Sequence, residues 1–147
     1  MEKINFYTLP KNEKINILQK TGDTIGLLAF AVEKDWWVMQ TLSIIFEMEI
    51  GKYLVFKGGT SLSKAWNLID RFSEDIDLAI DREFFGFEGE LSKQEISSLR
   101  KKANKYLTEI FYPQLMDVFR EKGFNNIRWE IVATVNSDQD PIIIILN

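Results

Sequence analysis

The order of four short segments near the middle of the chain constrains its fold most strongly. Residues 53–56 are an apolar run of strand type, and residues 76–80 are predicted to form a second strand. Residues 62–69 between them are compatible with a helix. A glycine-rich turn joins the first strand to this helix and consists of Gly58, Gly59, Thr60 and Ser61. Because the helix is short, it returns the chain directly to the second strand. The turn and the second strand are therefore expected to border one crevice.

The glycine turn is a candidate phosphate-binding site. Backbone N–H groups at the start of a helix have no partner within the helix, and glycine lets a phosphate come close to them. A Gly-Gly turn before a Thr or Ser helix cap also makes a tight turn without any ligand. Both interpretations of residues 58–61 stay open on this motif alone.

Asp75 and Asp77 form a candidate metal site at the second strand. Side chains alternate across a strand, so the two carboxylates are expected on one face while Ile76 points into the core. A bound cation relieves the repulsion between two close carboxylates, and Mg²⁺ and Mn²⁺ prefer oxygen ligands. An Asp-x-Asp on the exposed face of a strand can also be simply solvated.

The two motifs together indicate phosphoryl or nucleotidyl transfer. That chemistry needs a phosphate-holding turn beside a metal site, because the metal bridges the triphosphate and neutralises developing charge. The composition agrees, since the chain contains no cysteine and no histidine. Disulfide frameworks, thiolate zinc sites and histidine-based hydrolytic triads are thereby excluded.

Two blocks of sequence in this region resemble a known family. They are residues 56–66, FKGGTSLSKAW, and residues 71–78, RFSEDIDL. In order and spacing they resemble the signature of the AbiEii/AbiGii toxin family of nucleotidyltransferases, a branch of the DNA polymerase β-like superfamily. The resemblance is close over residues 53–81 and elsewhere extends only to the pattern of helices and strands.

This resemblance implies an α+β fold in which a nucleotidyltransferase-type mixed β-sheet packs against helices. It implies a nucleoside triphosphate (NTP) as substrate and Mg²⁺ or Mn²⁺ as cofactor. Asp75 and Asp77 would be the catalytic residues and the metal ligands. Nucleotide contacts would come from five residues of the two blocks: Gly58, Gly59, Thr60, Ser61 and Ser73. Three further candidates, for shaping the site or touching phosphate, are Lys57, Lys64 and Arg71.

The family also has a third carboxylate on a later strand. Glu130 is a candidate for this role by its position within a predicted strand. The alternative is an acidic residue beyond Asn147, because the family places a strand, a polar turn and an apolar strand ahead of the third acidic strand. We therefore expect the chain to be truncated at its C-terminal end, and to bind metal weakly and catalyse poorly by itself. The alternative is a small complete domain whose sheet is closed by the last strand, 142–146.

The remaining segments complete a single expected domain over residues 1–147, with N-terminal helices at 12–50 and the catalytic sheet and helices at 53–147. Within the first part, the apolar spacing predicts helices over 12–33 and 35–50, the second capped by Asp35.

Two elements are predicted after the second strand. A long helical pattern must kink or restart at Pro113 and ends at Gly123. The β-branched runs 127–135 and 142–146 are then joined by a turn-rich segment, which is typical of a hairpin.

Three further groups of side chains each have two interpretations. Trp36 and Trp37 could stack a base or pack between helices. The basic residues of one predicted helix could track RNA phosphates or be solvated: Lys93, Arg100, Lys101, Lys102 and Lys105. The aromatic loop after the second strand could form a lid or pack over the sheet: Phe84, Phe85 and Phe87.

The leading hypothesis is a metal-dependent nucleotidyltransferase, by resemblance the toxin of a bacterial toxin–antitoxin or abortive-infection pair. It would transfer a nucleoside monophosphate to an RNA, such as a tRNA end, or to a protein, and a cognate antitoxin would be its partner. The alternatives are a non-catalytic or truncated binding module, and a phosphotransferase. The net charge of −4 and the lack of a signal peptide or membrane span predict a cytoplasmic protein without a membrane partner.

Overall fold

The computed structural model describes residues 6–57, 75–132 and 143–147. The chain divides into two compact units, one of Met1–Glu47 and Phe56–Leu78, the other of Met48–Val55 and Ala79–Asn147. Helices and two small antiparallel sheets make up the structure, so the predicted α+β class is confirmed. Each described strand pairs with one neighbour, which gives two two-stranded sheets.

The first unit contains two helices, α1 (Lys11–Ile25) and α2 (Ala29–Glu47), which pack against each other. Their contact is apolar because the buried positions of α2 recur at helical spacing and so form one stripe. The buried residues are Leu18 and Gly22 in α1, and Ala31, Val38, Thr41, Leu42, Ile44 and Ile45 in α2.

The predicted boundary between the two N-terminal helices is wrong. The break falls at Gly26, not after residue 33, and Asp35 lies inside α2, where it cannot act as its N-cap. Gly26 has the left-handed φ of 77°, and its N–H and that of Leu27 donate to the Gly22 carbonyl at 2.8 and 3.0 Å. A Cβ at Gly22 would collide with the Leu27 carbonyl oxygen. Both glycines are therefore required by the turn.

Trp36 and Trp37 pack within the first unit. Both rings are half-buried and meet edge to face, with centroids 4.9 Å apart. Phe6 lies 5.1 Å from the Trp36 ring, and Tyr7 lies 5.7 Å from the Trp37 ring. These contacts favour the packing interpretation of the tryptophan pair.

The two central strands are β1 (Leu54–Lys57) and β2 (Asp77–Ile80), each within one residue of its predicted start. A 3₁₀ helix, Glu49–Tyr53, precedes β1, and another, Arg82–Phe85, follows β2. β1 and β2 pair, and next to the pair the Asp81 N–H donates to the Tyr53 carbonyl at 2.7 Å. The predicted helix over 62–69 lies outside the described residues.

The long helix of the second unit is interrupted next to Pro113, as the sequence predicted. Helix α3 (Lys93–Tyr106) continues into a π-helical turn, Leu107–Phe111, and then into α4 (Tyr112–Glu121), which has Pro113 in its first turn. Proline lacks the N–H that a continuous α-helix needs, so the hydrogen-bond pattern changes just before it. Ser92 and Glu95 begin α3 with a reciprocal capping box.

The predicted C-terminal hairpin is confirmed. Strands β3 (Trp129–Val132) and β4 (Ile143–Leu146) are antiparallel, with Trp129 opposite Leu146 and Val132 opposite Ile143. Arg128 and Asn147 extend the pair by exchanging backbone hydrogen bonds of 2.7 and 2.9 Å.

The core of the second unit lies between α4 and this hairpin. Phe119 of α4 is fully buried, and Leu115 is 2% exposed. The Phe119 ring meets Trp129 of β3 edge to face at 5.0 Å and Phe124 at 5.6 Å. In the part of the chain that the structure describes, no helix is both long and apolar enough to cross a bilayer.

We expect Phe119→Ala to lower the free energy of unfolding by about 3–5 kcal/mol, because it removes a buried ring and leaves a cavity. Phe30→Ala is the matched control, since Phe30 is 54% exposed, and its loss should stay below about 1 kcal/mol. Urea unfolding measures both, and equal losses would contradict this assignment of the core.

Gly22→Ala should also destabilise the protein, although alanine has the better helix propensity by about 1 kcal/mol. The reason is the collision of the new Cβ with the Leu27 carbonyl. Asp23→Ala, at an exposed position of the same turn, is the control and should be neutral or stabilising. Thermal unfolding of the two variants decides the point, and a more stable Gly22→Ala protein would refute the role given to this glycine.

Candidate functional site

The predicted aspartate pair lies at the beginning of β2. Asp77 is the first residue of the strand, and Asp75 lies two residues before it. Asp75 and Asp77 are exposed and Ile76 is half-buried, so the exposure alternates as in an extended chain with one outer face. Two solvent-accessible carboxylates at this spacing have the donor chemistry that a hard divalent cation prefers, and the pair fits such an ion.

The pairing of β1 with β2 sets the position of this aspartate pair within the first unit. The two strands are antiparallel, so the end of one lies beside the start of the other. Lys57, the last residue of β1, is thus at the same end of the pair as Asp77. Lys57 directly precedes the predicted phosphate-binding residues 58–61 in the sequence.

Seven of the predicted site residues lie outside the described residues. They are Gly58, Gly59, Thr60, Ser61, Lys64, Arg71 and Ser73. Their nucleotide-binding and positioning roles stay predictions, as does the role of Lys57.

Glu130 lies on β3 in the second unit, whereas Asp75 and Asp77 belong to the first. Its side chain is exposed, and it pairs with Ile145 across the hairpin. Over residues 6–57, 75–132 and 143–147, no three acidic, histidine or cysteine side chains form a group able to hold a metal ion. The role of Glu130 as third ligand stays a prediction.

Asp81 has a structural role next to these residues. Its carboxylate accepts the Glu83 N–H at 2.9 Å and so caps the 3₁₀ helix Arg82–Phe85. A carboxylate engaged in this way helps to hold the chain where it leaves β2.

A cavity that the sequence did not predict lies within the second unit. Its volume is about 370 Å³, which is within the usual range of small-molecule pockets. The wall is rich in aromatic rings, with Phe84 between Tyr53 at 5.1 Å and Tyr106 at 4.9 Å. The full lining comprises Met48, Glu49, Ile50, Lys52, Tyr53, Phe84, Tyr106, Ile110 and Gln114.

The aromatic loop after β2 contributes to this cavity by packing. Phe84 and Phe85 are half-buried and meet the Tyr106 ring of α3 at 4.9 and 5.8 Å. Phe84 also contacts Tyr53, just before β1. These contacts favour the packing interpretation of the loop. No sequence signal links Phe84 with Tyr106, because their contact depends on how α3 folds back over the 3₁₀ helix.

Tyr106 has a perturbed hydroxyl. Burial, and secondarily the negative charge of Glu49, raises the pKa of Tyr106 above its ordinary value. Both effects disfavour the tyrosinate, so the hydroxyl keeps its proton to higher pH in the folded protein.

This perturbation predicts a pH dependence of stability. The folded state holds the Tyr106 proton more tightly than the unfolded chain does. Its contribution to stability is therefore complete below about pH 10 and is lost as the pH rises through the raised pKa. Urea unfolding at increasing pH should show a shallower decline for Tyr106→Phe than for the wild type, with Glu49→Gln between them. Identical declines for all three proteins would contradict the effect.

Comparison with protein-family models gives a match over most of the chain. The family described as "Nucleotidyl transferase AbiEii toxin, Type IV TA system" matches residues 42–146. This range contains both β1 and β2, the aspartate pair and the C-terminal hairpin. Comparison with curated proteins and with solved structures gave no match.

Proposed function

Because the chain belongs to the AbiEii family of nucleotidyl transferase toxins from type IV toxin–antitoxin systems, we propose that it transfers a nucleoside monophosphate from an NTP to an acceptor hydroxyl. The proposed acceptor is an RNA end or a protein side chain. The family implies an antitoxin as the functional counterpart. The reaction would take place in the cytoplasm, where NTP and these acceptors are available.

One observation carries the proposal. The antiparallel pairing of β1 and β2 brings Lys57, which precedes Gly58 in the sequence, and the exposed aspartate pair to one end of the sheet. In nucleotidyl transfer, a bound triphosphate must lie close to the phosphate-binding residues and to the aspartates at the same time. A position of both at one end of the sheet would allow this.

The proposed roles follow from the chemistry of each group. Backbone N–H groups and hydroxyls of residues 58–61 would hold the triphosphate, and Ser73 would add a hydrogen bond to it. Lys57, Lys64 and Arg71 would balance phosphate charge. A divalent ion, when bound, would supply positive charge that stabilises the negative charge developing at the reacting phosphorus. Asp75 and Asp77 are the residues that would hold it.

The bond changes are those of an in-line displacement at the α-phosphorus. The acceptor oxygen forms a new bond to this phosphorus as its proton leaves to solvent. The bond between the α-phosphorus and the bridging oxygen breaks, and pyrophosphate departs.

We expect Asp75→Asn and Asp77→Asn each to reduce label transfer by at least about a thousandfold, because several kcal/mol of transition-state charge stabilisation depends on the pair. The assay incubates the full-length protein with α-labelled NTPs, Mg²⁺ and total cellular RNA or protein. Both variants should unfold at the wild-type urea concentration, since both side chains are exposed.

Asp117→Asn is the matched control. Asp117 is also an exposed carboxylate, and it pairs with Arg120 on α4 at 3.1 Å. Its loss should leave transfer unchanged. Transfer of a γ-label in place of the α-label would identify a phosphotransferase. NTP binding without transfer of either label would identify a binding module.

A further inference from the structure

Helix α3 carries a concentration of positive charge that the proposed chemistry does not use. It holds one carboxylate and five basic side chains, although the whole chain has a net charge of −4. The basic side chains are Lys93, Arg100, Lys101, Lys102 and Lys105. A chain of this net charge has no general attraction for polyanions, so any such binding must depend on a local surface.

Part of this charge forms one continuous face, which we call the lysine face: Gln94, Ser98, Lys101, Lys102 and Lys105. All five side chains are exposed. Their three- and four-residue spacing places them on neighbouring positions along one side of the helix. The adjacent side of the helix holds Leu99, Ala103 and Tyr106, which are half-buried. The orientation of α3 is therefore fixed by its apolar side, and the lysine face is directed to solvent.

The charge of the lysine face is not neutralised by the described residues. None of its three lysines forms an ion pair there, whereas Arg120 on α4 pairs with Asp117. The only carboxylate of α3, Glu95, is held in the capping box, where it accepts the Ser92 N–H at 3.1 Å. Lys102 is positioned by an aromatic ring, with its Nζ 5.1 Å from the centre of the Phe87 ring.

The composition of the lysine face indicates which polyanion it suits. Protein interfaces are depleted of lysine and have an apolar centre with aromatic anchors. The lysine face has no apolar side chain, so it lacks the anchor that a protein partner would need. A nucleic-acid backbone needs only regularly spaced cations and hydrogen-bond donors, and lysines, serine and glutamine supply these.

From this charge segregation we infer that the lysine face of α3 binds the sugar–phosphate backbone of RNA. The inference rests on the proposed function in one respect, the choice of RNA as the acceptor class. The binding is sequence-independent, because the face contacts phosphates and not base edges. If each of the three lysines neutralises one phosphate of single-stranded RNA, a plot of the logarithm of the binding constant against the logarithm of salt concentration should have a slope of about −2.

The test compares two double variants that remove equal charge. Lys101→Gln/Lys105→Gln changes the lysine face, and Lys11→Gln/Lys20→Gln changes two exposed lysines of α1. Binding of a fluorescent oligouridylate and of unfractionated tRNA is measured by anisotropy at several salt concentrations, without NTP or divalent ions. The first variant should bind about tenfold more weakly at low salt, and its slope should be smaller by about 1.4. The α1 variant should bind as the wild type does.

Three results would overturn the inference: no RNA binding by the wild type, equal weakening by the two variants, or polyglutamate binding to the lysine face in preference to RNA. The last result would identify an acidic protein as the partner. Because the assay contains no NTP, its outcome is separate from that of the proposed function. Lysine-dependent RNA binding without any nucleotidyl transfer would count against the proposed reaction and leave the lysine face as an RNA-binding surface.

Discussion

The pairing of β1 with β2 is the constraint on which the candidate site depends. An antiparallel pair brings the last residue of one strand beside the first residue of the next, here Lys57 and Asp77. The Asp81 N–H and Tyr53 carbonyl bond of 2.7 Å lies next to the other end of the pair. A shift by one residue in β2 would turn the Asp77 carboxylate to the half-buried side, so the exposure of the pair depends on strand register.

Several features of the fold could be predicted from the sequence because they depend on residues that are close together in the chain. Pro113 determines where the hydrogen-bond pattern of the long helix changes, because the missing N–H of proline affects only the adjacent helical turn. The β-branched runs around a polar turn determined the hairpin. The boundary between the N-terminal helices was predicted wrongly. Aspartate is a favourable N-cap residue in any sequence context, which suggested Asp35, whereas the observed break requires Gly22 and Gly26 together. Their joint effect depends on how the Leu27 carbonyl packs over Gly22, and periodicity does not contain that information.

Some features of the candidate site could likewise be predicted from the sequence, and others could not. The exposure of Asp75 and Asp77 follows from the two-residue strand period, which is visible in the sequence. The aromatic cavity and the raised pKa of Tyr106 follow from residues far apart in the chain, Glu49 among them, and no motif connects them. The lysine face is intermediate. Its charge could be counted in the sequence, but its exposure and the engagement of Glu95 at the cap required the structure.

Paramagnetic broadening of backbone amide signals by Mn²⁺, with and without an NTP, determines whether the aspartate pair and the nucleotide share one site. The ion broadens signals of nearby nuclei whether or not the protein turns over substrate. If β1 and β2 form one metal–nucleotide site, broadening should concentrate at Lys57, Asp75 and Asp77, should strengthen with NTP, and should vanish in Asp77→Asn. Broadening centred on Glu130 or on the cavity at Glu49, or none at the aspartate pair when NTP is present, would show that the metal and the nucleotide do not bind at this end of β1 and β2.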